Sequence, residues 1–588
     1  MMLEPFPARD LHIGQPQPDP TVVVDQALPV YDPARQLSVI THTVKLQGRS
    51  TDVHGKGQTP VESRTVGCRT APSDDRMVLH HRGDKQVLLS DPFSRFAQWL
   101  EFAWYRYYSN QSTHDLPDII AHADASHGWP YFRDQLIGSI VSGAYTPDVV
   151  DVVDLPKDRL SVRPLARMSI QDQLVYEALV FSAVELIDSR ISDAVFSYRW
   201  SKFKGDLRSP KGAWVRMQDQ ARLLQAKYPT HMLAKTDITS FYEHIEVDIL
   251  LEDLQSAGVD QWTRDRLEAF LRAFQRLNAV WGIPQGSDAS GILANLYLVP
   301  IDTVLRRRGL EYVRYSDDIA MFGETWASLR RELLQINRVL RGRHLSMSGA
   351  KTKILTAAEA IEEFDDGGKD AIRYGVSIGA PMAGAEVQKM FDTATATYPP
   401  NARDIRFALN QFTELDDNYA VSWILGNLAK VPHLAPESIK YLESFRSVLT
   451  PVDDSTILEM FASREFADYP YAEHHLLCFL LRRGVHHSKV HEAAWKILSD
   501  RNEETYLRET AARYIGLHAG PGDGALLKQE FRTERSDSLR RALLVALYES
   551  RQFYGLWLDD AAEAVPGLAL TCHYLKTNPI IPLPPVRK

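Results

Sequence analysis

The chain has 588 residues, of which 44% are hydrophobic, so about three or four domains with a large buried core are expected. The formal net charge of −9 is unusual for a nucleic-acid-binding protein, so any surface of that kind has to be a local basic patch. The three cysteines, Cys68, Cys478 and Cys572, are far apart and form no CxxC pair. This spacing argues against a disulfide framework or a zinc finger and favours a reducing cytoplasm.

The first 76 residues differ in composition from the rest of the chain. They are rich in Pro, Gly, Thr, Ser and Asp and show no sustained helical period. Two interpretations of 1–76 stay open: a disordered tail, or a mis-annotated extension upstream of a true start at Met77. Residues 1–20 lack the apolar stretch of a secretory signal, and no run of about 18 apolar residues predicts a transmembrane helix.

Residues 77–159 predict an N-terminal helical segment. From Pro92 onward, apolar and aromatic residues recur at helical spacing: Phe93, Phe96, Trp99, Leu100, Phe102, Ala103 and Tyr107. We interpret this stripe as the buried face of a helix rather than as a stacking platform for bases. Residues 160–375 then alternate helical and short strand patterns, as a mixed α+β domain does, with an acidic, glycine-rich loop predicted at 362–369.

Helical patterns dominate from 376 to 588. Three predicted helical faces are Val490/Ala494/Ile497, Leu507/Ala511/Tyr514 and Leu539/Leu543/Ala546/Leu547. Stacked helix pairs of a HEAT-like repeat domain would explain the pattern, and a non-repeating helical bundle is the alternative. Basic residues between 489 and 541 are interpreted as a solvated face balanced by nearby glutamates, with a nucleic-acid-binding concave face as the alternative. The proline-rich tail 579–585 should be extended.

The string Tyr315-Ser316-Asp317-Asp318 lies between apolar residues on both sides, which predicts a β-hairpin with two acids at its turn. Adjacent carboxylates repel each other and lose solvation in such a hairpin unless a cation neutralises them. A divalent metal is the simplest cation of this kind. The alternative is an ordinary surface hairpin with a polar turn.

A second acid, Asp237, ends a predicted strand at 233–236 and lies 80 residues before Asp317. Only the fold can bring the two together, and a two-metal phosphoryl transferase needs carboxylates from separate strands around ions about 3.5–4 Å apart. Magnesium suits such an all-oxygen site, with manganese as a second candidate. The alternative role of Asp237 is that of a helix N-cap.

Two weaker signals accompany the acids. Between them, Gly282 to Ser290 contains Pro284-Gln285-Gly286 ahead of a helix predicted at 291–298, where small residues let a nucleotide or a template backbone approach. After them, Lys351 is placed to neutralise or protonate a departing pyrophosphate, although a lone lysine is usually a solvated surface residue. Four signals in this order are rare by chance, and together they favour a nucleotidyl transferase.

In this order the motifs resemble the reverse transcriptase family of RNA-directed DNA polymerases, over about residues 160 to 356. Arg163-Pro164-Leu165, Asp172-Gln173 and Ser197-Tyr198-Arg199 are similar to the fingers segment of bacterial members. The resemblance implies that Asp237, Asp317 and Asp318 are the catalytic metal ligands and that Ile238 adds its carbonyl. It also implies nucleotide-binding roles: Tyr242 as the steric gate that favours dNTP over rNTP, Arg199 and Lys204 on the triphosphate, and Gln285 and Gly286 lining the pocket beside Lys351.

The expected fold is therefore an α+β right-hand polymerase with fingers and palm, followed by an all-α HEAT-like helical-repeat domain. This architecture resembles bacterial abortive-infection and defence-associated reverse transcriptases, some of which synthesise DNA without a template from a protein hydroxyl. The alternatives are a group II intron-like or retron-like enzyme that copies a dedicated RNA, and a catalytically dead helical scaffold. The expected partners are RNA or DNA and dNTPs but no membrane, and the helical domain is a candidate surface for a homo-oligomer.

Overall fold

The computed structural model describes residues 91–110, 114–278, 282–364, 367–552 and 555–587. Contacts divide the chain into Met1–Val78 and Leu79–Lys588, and everything below concerns the second unit. The predictions for residues 1–76 lie outside the described residues. Within the described ranges, no helix combines the length and the apolar character needed to cross a bilayer.

Three helices open the described chain: α1 (Pro92–Ser109), α2 (Ala123–His127) and α3 (Trp129–Ser142). Asp91 caps α1 by accepting from the amides of Phe93 and Ser94, and Pro92 occupies the first turn, where a missing N–H costs nothing. Most of the predicted stripe is confirmed as helix core, because Phe96, Leu100 and Ala103 are fully buried, whereas Phe93 at its start is exposed. This face packs against α4 (Ile170–Phe181).

A two-stranded hairpin connects this helical segment to the α+β region that follows. Strands β1 (Asp151–Pro156) and β2 (Val162–Arg167) are antiparallel, from the pair Asp151↔Arg167 to the pair Pro156↔Val162. The predicted domain boundary between residues 159 and 160 falls in the turn of this hairpin. After α4 come α5 (Val184–Asp188), the short pair β3 (Trp200–Ser201) and β4 (Asp206–Leu207), and α6 (Pro210–Lys227).

The central sheet has four antiparallel strands in the order β6-β7-β5-β8. Its strands are β5 (Met232–Thr236), β6 (Glu311–Tyr315), β7 (Asp318–Gly323) and β8 (Lys353–Leu355). Successive residues of β7 pack on opposite faces of the sheet. Met321 belongs to one core cluster and Phe322 to another, so both faces are covered. The helices that follow β5 and β7 are α7 (Val247–Ala257), α8 (Gln261–Asn278), α9 (Asp288–Tyr297), α10 (Val299–Arg307) and α11 (Trp326–Arg341).

The remaining chain is helical. The expectation of a loop at 362–369 was wrong, because helices reach Phe364 from one side and start at Gly367 on the other. The helices are α12 (Ala357–Phe364), α13 (Gly367–Ser377), α14 (Ala383–Ala396), α15 (Ala402–Leu415), α16 (Val421–Asn427), α17 (Ala435–Ser444), α18 (Pro451–Ala462), α19 (Pro470–Arg483), α20 (Ser488–Ser499), α21 (Thr505–Leu517), α22 (Asp523–Thr533), α23 (Asp537–Glu549), α24 (Gly555–Ala564) and α25 (Ala569–Thr577).

These helices stack in a regular way. From α15 to α25, each odd-numbered helix contacts the next odd-numbered one, and α16, α18 and α20 form a second such row. The three predicted helical faces are confirmed as buried core. This core also takes in Ile119, Ile120 and Val153 from the N-terminal side, so the helical region is packed against segments that precede it in the sequence.

The basic side chains of the helical region are largely paired with acids, as interpreted from the sequence. Lys489 pairs with Glu459, and Arg501 with Glu530. Arg513, however, is completely buried beside Glu549 rather than solvated. The predicted extended tail lies outside helices and strands and is held at Pro582, whose carbonyl accepts from Arg513 at 2.6 Å.

Candidate active site

Three carboxylates meet at one end of the central sheet. Asp237 directly follows β5, Asp317 lies in the turn between β6 and β7, and Asp318 is the first residue of β7. The pairing of Thr236 with Ile319 puts Asp237 next to Asp318 across the two strands, although the two lie far apart in the sequence. The positive φ of Ser316, +57°, forms the tight turn that presents the acids.

Burial and mutual repulsion make this cluster electrostatically costly. Burial raises the pKa of Asp317 to about 6, with the negative charge of Asp237 as the next cause. The pKa of Asp318 is raised for the same two reasons. Lys351 offsets part of the repulsion, because its Nζ lies 2.7 Å from Oδ2 of Asp237, which is only 6% exposed.

The carboxylate oxygens of the cluster are suitable ligands for a divalent cation. Their spacing in the structure is not yet that of a closed metal site. Carboxylate oxygens are the donors that magnesium prefers, and the raised pKa values show a need for positive charge. Among the described residues, no three His, Cys, Asp or Glu side chains already close around one ion. Ile238 lies beside them in a bridge with Met347, and its side chain is buried.

Tyr242 stands at the edge of the carboxylate cluster. It begins the short 3-10 helix Tyr242–His244, and its hydroxyl lies close enough to the side chains of Ser316 and Tyr198 for both to act on its pKa. Burial raises its pKa, and the charge of Asp317 acts in the same direction. The charge of exposed Arg163 in β2 acts against this shift, so a cation lies within electrostatic range of Tyr242. The structure therefore brings together the predicted gate and the predicted metal ligands.

The Pro284-Gln285-Gly286 loop lies between α9 and the β1–β2 hairpin, which we call the fingers hairpin. The carbonyl of Gln285 accepts from the amide of Ala166 at 3.0 Å. Gly286 has φ +112°, and a Cβ there would lie 2.1 Å from Leu165 Cδ1, so only glycine fits. The helix begins at Asp288, three residues earlier than predicted, because Ser287 caps it by accepting from the amide of Ala289.

Helix α9 also approaches a tyrosine of the fingers segment. A Cβ added to Gly291 would lie 2.4 Å from the ring of Tyr198. The glycine thus allows the ring to lie flat against the helix, and the same ring then reaches Tyr242 through its hydroxyl.

The structure does not support the predicted triphosphate contact of Arg199. Its guanidinium is buried and donates to Asp188 at 2.7 Å and to the carbonyls of Ser192 and Val195 at 2.8 and 2.9 Å. A phosphate contact would require these bonds to break, so Arg199 here stabilises the fingers segment. Lys204, the weaker of the two predictions, is exposed.

Sequence reasoning missed the network that holds the turn between β6 and β7. Arg314 is completely buried, pairs with both oxygens of Asp302 at 3.0 and 2.6 Å, and donates to the carbonyl of Ser316 at 2.9 Å. Asn295 accepts from the same guanidinium at 2.8 Å, and Ser197 accepts from the amide of Ser316 at 2.8 Å. An arginine between Val313 and Tyr315 in a predicted buried strand was the available signal, since such a charge is buried only with partners.

A basic and aromatic surface adjoins the turn. Trp214 of α6 meets the ring of Tyr315 edge-on at 5.1 Å between centroids. Four cations are exposed on the same segment: Lys204, Arg208, Lys211 and Arg216. These four residues form a local basic patch of the kind expected for a nucleic-acid-binding surface on an acidic protein.

An antiparallel sheet that presents three acids beside a glycine-bearing helical loop defines a polymerase palm. Residues 155–407 match the family model described as reverse transcriptase (RNA-dependent DNA polymerase). This region is a reverse transcriptase domain, and the chain is accordingly a nucleotidyltransferase of the RNA-directed DNA polymerase class. The match begins in β1 and ends in α15, and so extends beyond the predicted 160–375 on both sides.

Similar solved structures include a telomerase from Candida albicans with a fragment of telomeric RNA, at 10% identity and a TM-score of 0.29, over 58% of this chain and 70% of that one. A partial Cas6-RT-Cas1–Cas2 complex aligns at 15% identity and TM-score 0.26, over 43% of each chain. The Cas6-RT-Cas1–Cas2 complex has the same identity and TM-score, over 43% of this chain and 27% of that one. These low TM-scores say nothing about the activity of this chain. No curated protein matches it significantly.

Proposed function

We propose that the protein adds dNTPs to a 3′ hydroxyl by two-metal catalysis, with Asp237, Asp317 and Asp318 as metal ligands. The convergence of these three acids from separate strands carries the proposal. Bound magnesium, or manganese in its place, would activate the attacking hydroxyl and offset the charge of the triphosphate. The carbonyl of Ile238 is the expected additional ligand.

The other side chains then take supporting roles. Lys351, now on Asp237, is placed to neutralise or protonate the departing pyrophosphate. Gln285 and Gly286 line the pocket for the incoming nucleotide, and exposed Arg163 replaces Arg199 as the expected triphosphate contact. The patch from Lys204 to Arg216 is the expected path of the nucleic-acid backbone, because free cations there attract phosphates without reading sequence.

The magnesium requirement is expected to depend on pH. Because the pKa of Asp317 is raised to about 6, its carboxyl carries a proton below that pH and an ion must displace it. The magnesium concentration for half-maximal rate should therefore rise as pH falls through about 6 and level off above it. Magnesium titrations of dNTP incorporation at several pH values test this. A half-maximal concentration that stays constant below pH 6 would contradict the assignment of Asp317.

Tyr242 is expected to set the choice of sugar. Tyr242→Ala removes the ring that would meet a 2′ hydroxyl and should raise rNTP use relative to dNTP use by roughly 10-fold or more. Tyr242→Phe keeps the ring but loses the hydroxyl that lies near Ser316 and Tyr198, and should keep the preference for dNTP. Ratios of kcat/KM for the two sugars measure the effect. Equal ratios in the alanine variant and the wild type would remove Tyr242 from the gate position.

One experiment distinguishes protein-primed synthesis from synthesis that copies an RNA template. The purified protein is given magnesium and labelled dNTPs, with and without prior nuclease treatment. Label that survives nuclease treatment and migrates with the denatured protein indicates priming from a protein hydroxyl, as in abortive-infection enzymes. Synthesis that needs an intact RNA instead supports the retron-like or intron-like alternative.

We also propose a role in defence against phage. The support is architectural: a reverse transcriptase domain followed by about 200 residues of stacked helices, which we propose to be HEAT-like repeats. Phage should form fewer plaques on cells that express the wild type than on cells that express Asp317→Asn. Equal plaque numbers across a broad phage panel would count against this role, although not against the polymerase activity.

A further inference from the structure

The fingers hairpin is attached to the C-terminal helical region along its apolar side. Val153 of β1 is fully buried inside the core formed by the C-terminal helices. Leu155 and Leu165 pack against the same core, and α19 contacts β1 directly. The hairpin therefore lies on the helical region, although it belongs in sequence to the polymerase domain.

One ion pair reinforces this attachment. Arg167, the last residue of β2, donates to both carboxylate oxygens of Glu509 in α21, at 3.1 and 2.6 Å. Glu509 is only 4% exposed, and Arg167 also lies 3.3 Å from Asp151 on the facing strand. Two parallel charge-assisted hydrogen bonds at a buried carboxylate fix both the distance and the orientation of the partners.

Strand β2 also contacts the Gln285-Gly286 loop. Ala166 donates its amide to the carbonyl of Gln285, and the Leu165 side chain fills the space that Gly286 leaves open. Three consecutive residues of β2 thus connect the loop, the helical core and Glu509. A shift of Arg167 by an ångström would be passed to the loop through a backbone hydrogen bond.

We infer that the C-terminal helical domain positions the nucleotide pocket through the β1–β2 hairpin, with Glu509 and Arg167 as the positioning pair. The identity of that pocket rests on the proposed function. Glu509 itself touches no expected reactant, so its effect is on placement. The helical domain is then a working part of the polymerase, and whatever binds or distorts α21 changes how well the enzyme holds dNTP.

The test compares the full-length wild type with Glu509→Gln. The variant keeps the shape of the side chain and loses the charge. The KM for dNTP should rise about 10-fold, while kcat changes by less than about 3-fold, because no ion pair among the described residues joins the three carboxylates to the hairpin and Asp237 pairs with Lys351 instead. Amide hydrogen exchange in residues 284–290 should also become faster.

The matched control is Arg541→Gln, which breaks another buried contact between the helical region and the N-terminal side, with Asp118 and Asp124. It should lower the melting temperature without changing the KM or the exchange of 284–290. Arg167→Gln combined with Glu509→Gln should be no worse than the single variants, as expected of two residues that act as a pair. If Glu509→Gln folds poorly, Arg167→Lys, which keeps the charge and loses the second parallel bond, replaces it.

Unchanged exchange of 284–290 in variants that break the pair would overturn the inference. An equal change in Arg541→Gln would overturn it too, because the effect would then be general loosening. If the wild type incorporates no dNTP, the proposed function fails. If exchange of 284–290 is nevertheless faster in the variants that break the pair, and not in Arg541→Gln, the coupling between the helical domain and the loop still holds.

Discussion

Asp317→Asn is expected to stabilise the protein while abolishing dNTP incorporation. Burial and the charge of Asp237 raise the pKa of Asp317 to about 6, so ionisation of this carboxyl costs folding free energy above that pH. A neutral amide avoids the cost, and the gain at neutral pH should be on the order of 1–3 kcal/mol. The rate should fall by at least about 1,000-fold, because an amide is a poor metal ligand. Thermal melts and incorporation assays measure the two effects.

The sign of the stability change depends on pH. The folded pKa lies above the unfolded value of 3.8, so the cost is absent below about pH 4 and complete well above pH 6. The stabilisation by Asp317→Asn should therefore fade as the pH is lowered toward 4. Asp468→Asn, at an exposed acid of the helical region, should leave the melting temperature unchanged at any of these pH values. A destabilised Asp317→Asn variant at neutral pH would contradict the described repulsion.

Arg314→Met should have the largest destabilising effect. The substitution leaves Asp302 buried without its cation and the carbonyl of Ser316 without a donor, which costs about 3–5 kcal/mol for a broken buried ion pair. Incorporation by the protein that still folds should fall as well, because the turn that carries Asp317 is no longer held. Chemical denaturation and incorporation per folded molecule are the measurements.

Arg308→Gln provides the comparison for Arg314→Met. Arg308 pairs with Glu332 but is 39% exposed at its side chain and does not contact the catalytic turn. It should cost far less stability than Arg314→Met, because an exposed ion pair is screened by solvent, and it should leave the rate unchanged. If Arg314→Met loses no more stability than Arg308→Gln, the buried network does not hold the turn.

The parts of the fold that the sequence predicts are those with local patterns. The strand before Asp237, the hairpin with Asp317 at its turn and the helical faces after residue 376 depend on residue periodicity and on turn chemistry. The wrong loop at 362–369 has the same origin, because acidic residues and glycines there suggested a loop, whereas 362–364 and 367–369 lie in helices.

The parts that could not be predicted depend on distant partners. Arg167 and Glu509 are 342 residues apart, and neither is unusual in its own segment. The resemblance of Ser197-Tyr198-Arg199 to the fingers segment implies a phosphate contact for Arg199, but its donors are taken up by Asp188 and two carbonyls that only the folded chain brings together. Side-chain partnership of this kind leaves no periodic trace in a single sequence.

The central claim is that the three acids catalyse metal-dependent DNA synthesis, and the most direct test compares wild type with the double variant Asp317→Asn/Asp318→Asn. Both are purified with their bound nucleic acid, checked for equal folding by thermal melting, and given magnesium with labelled dNTPs. We predict incorporation by the wild type and none by the double variant. Incorporation by the double variant at the wild-type rate, or none by the wild type with any template or metal, would contradict the account.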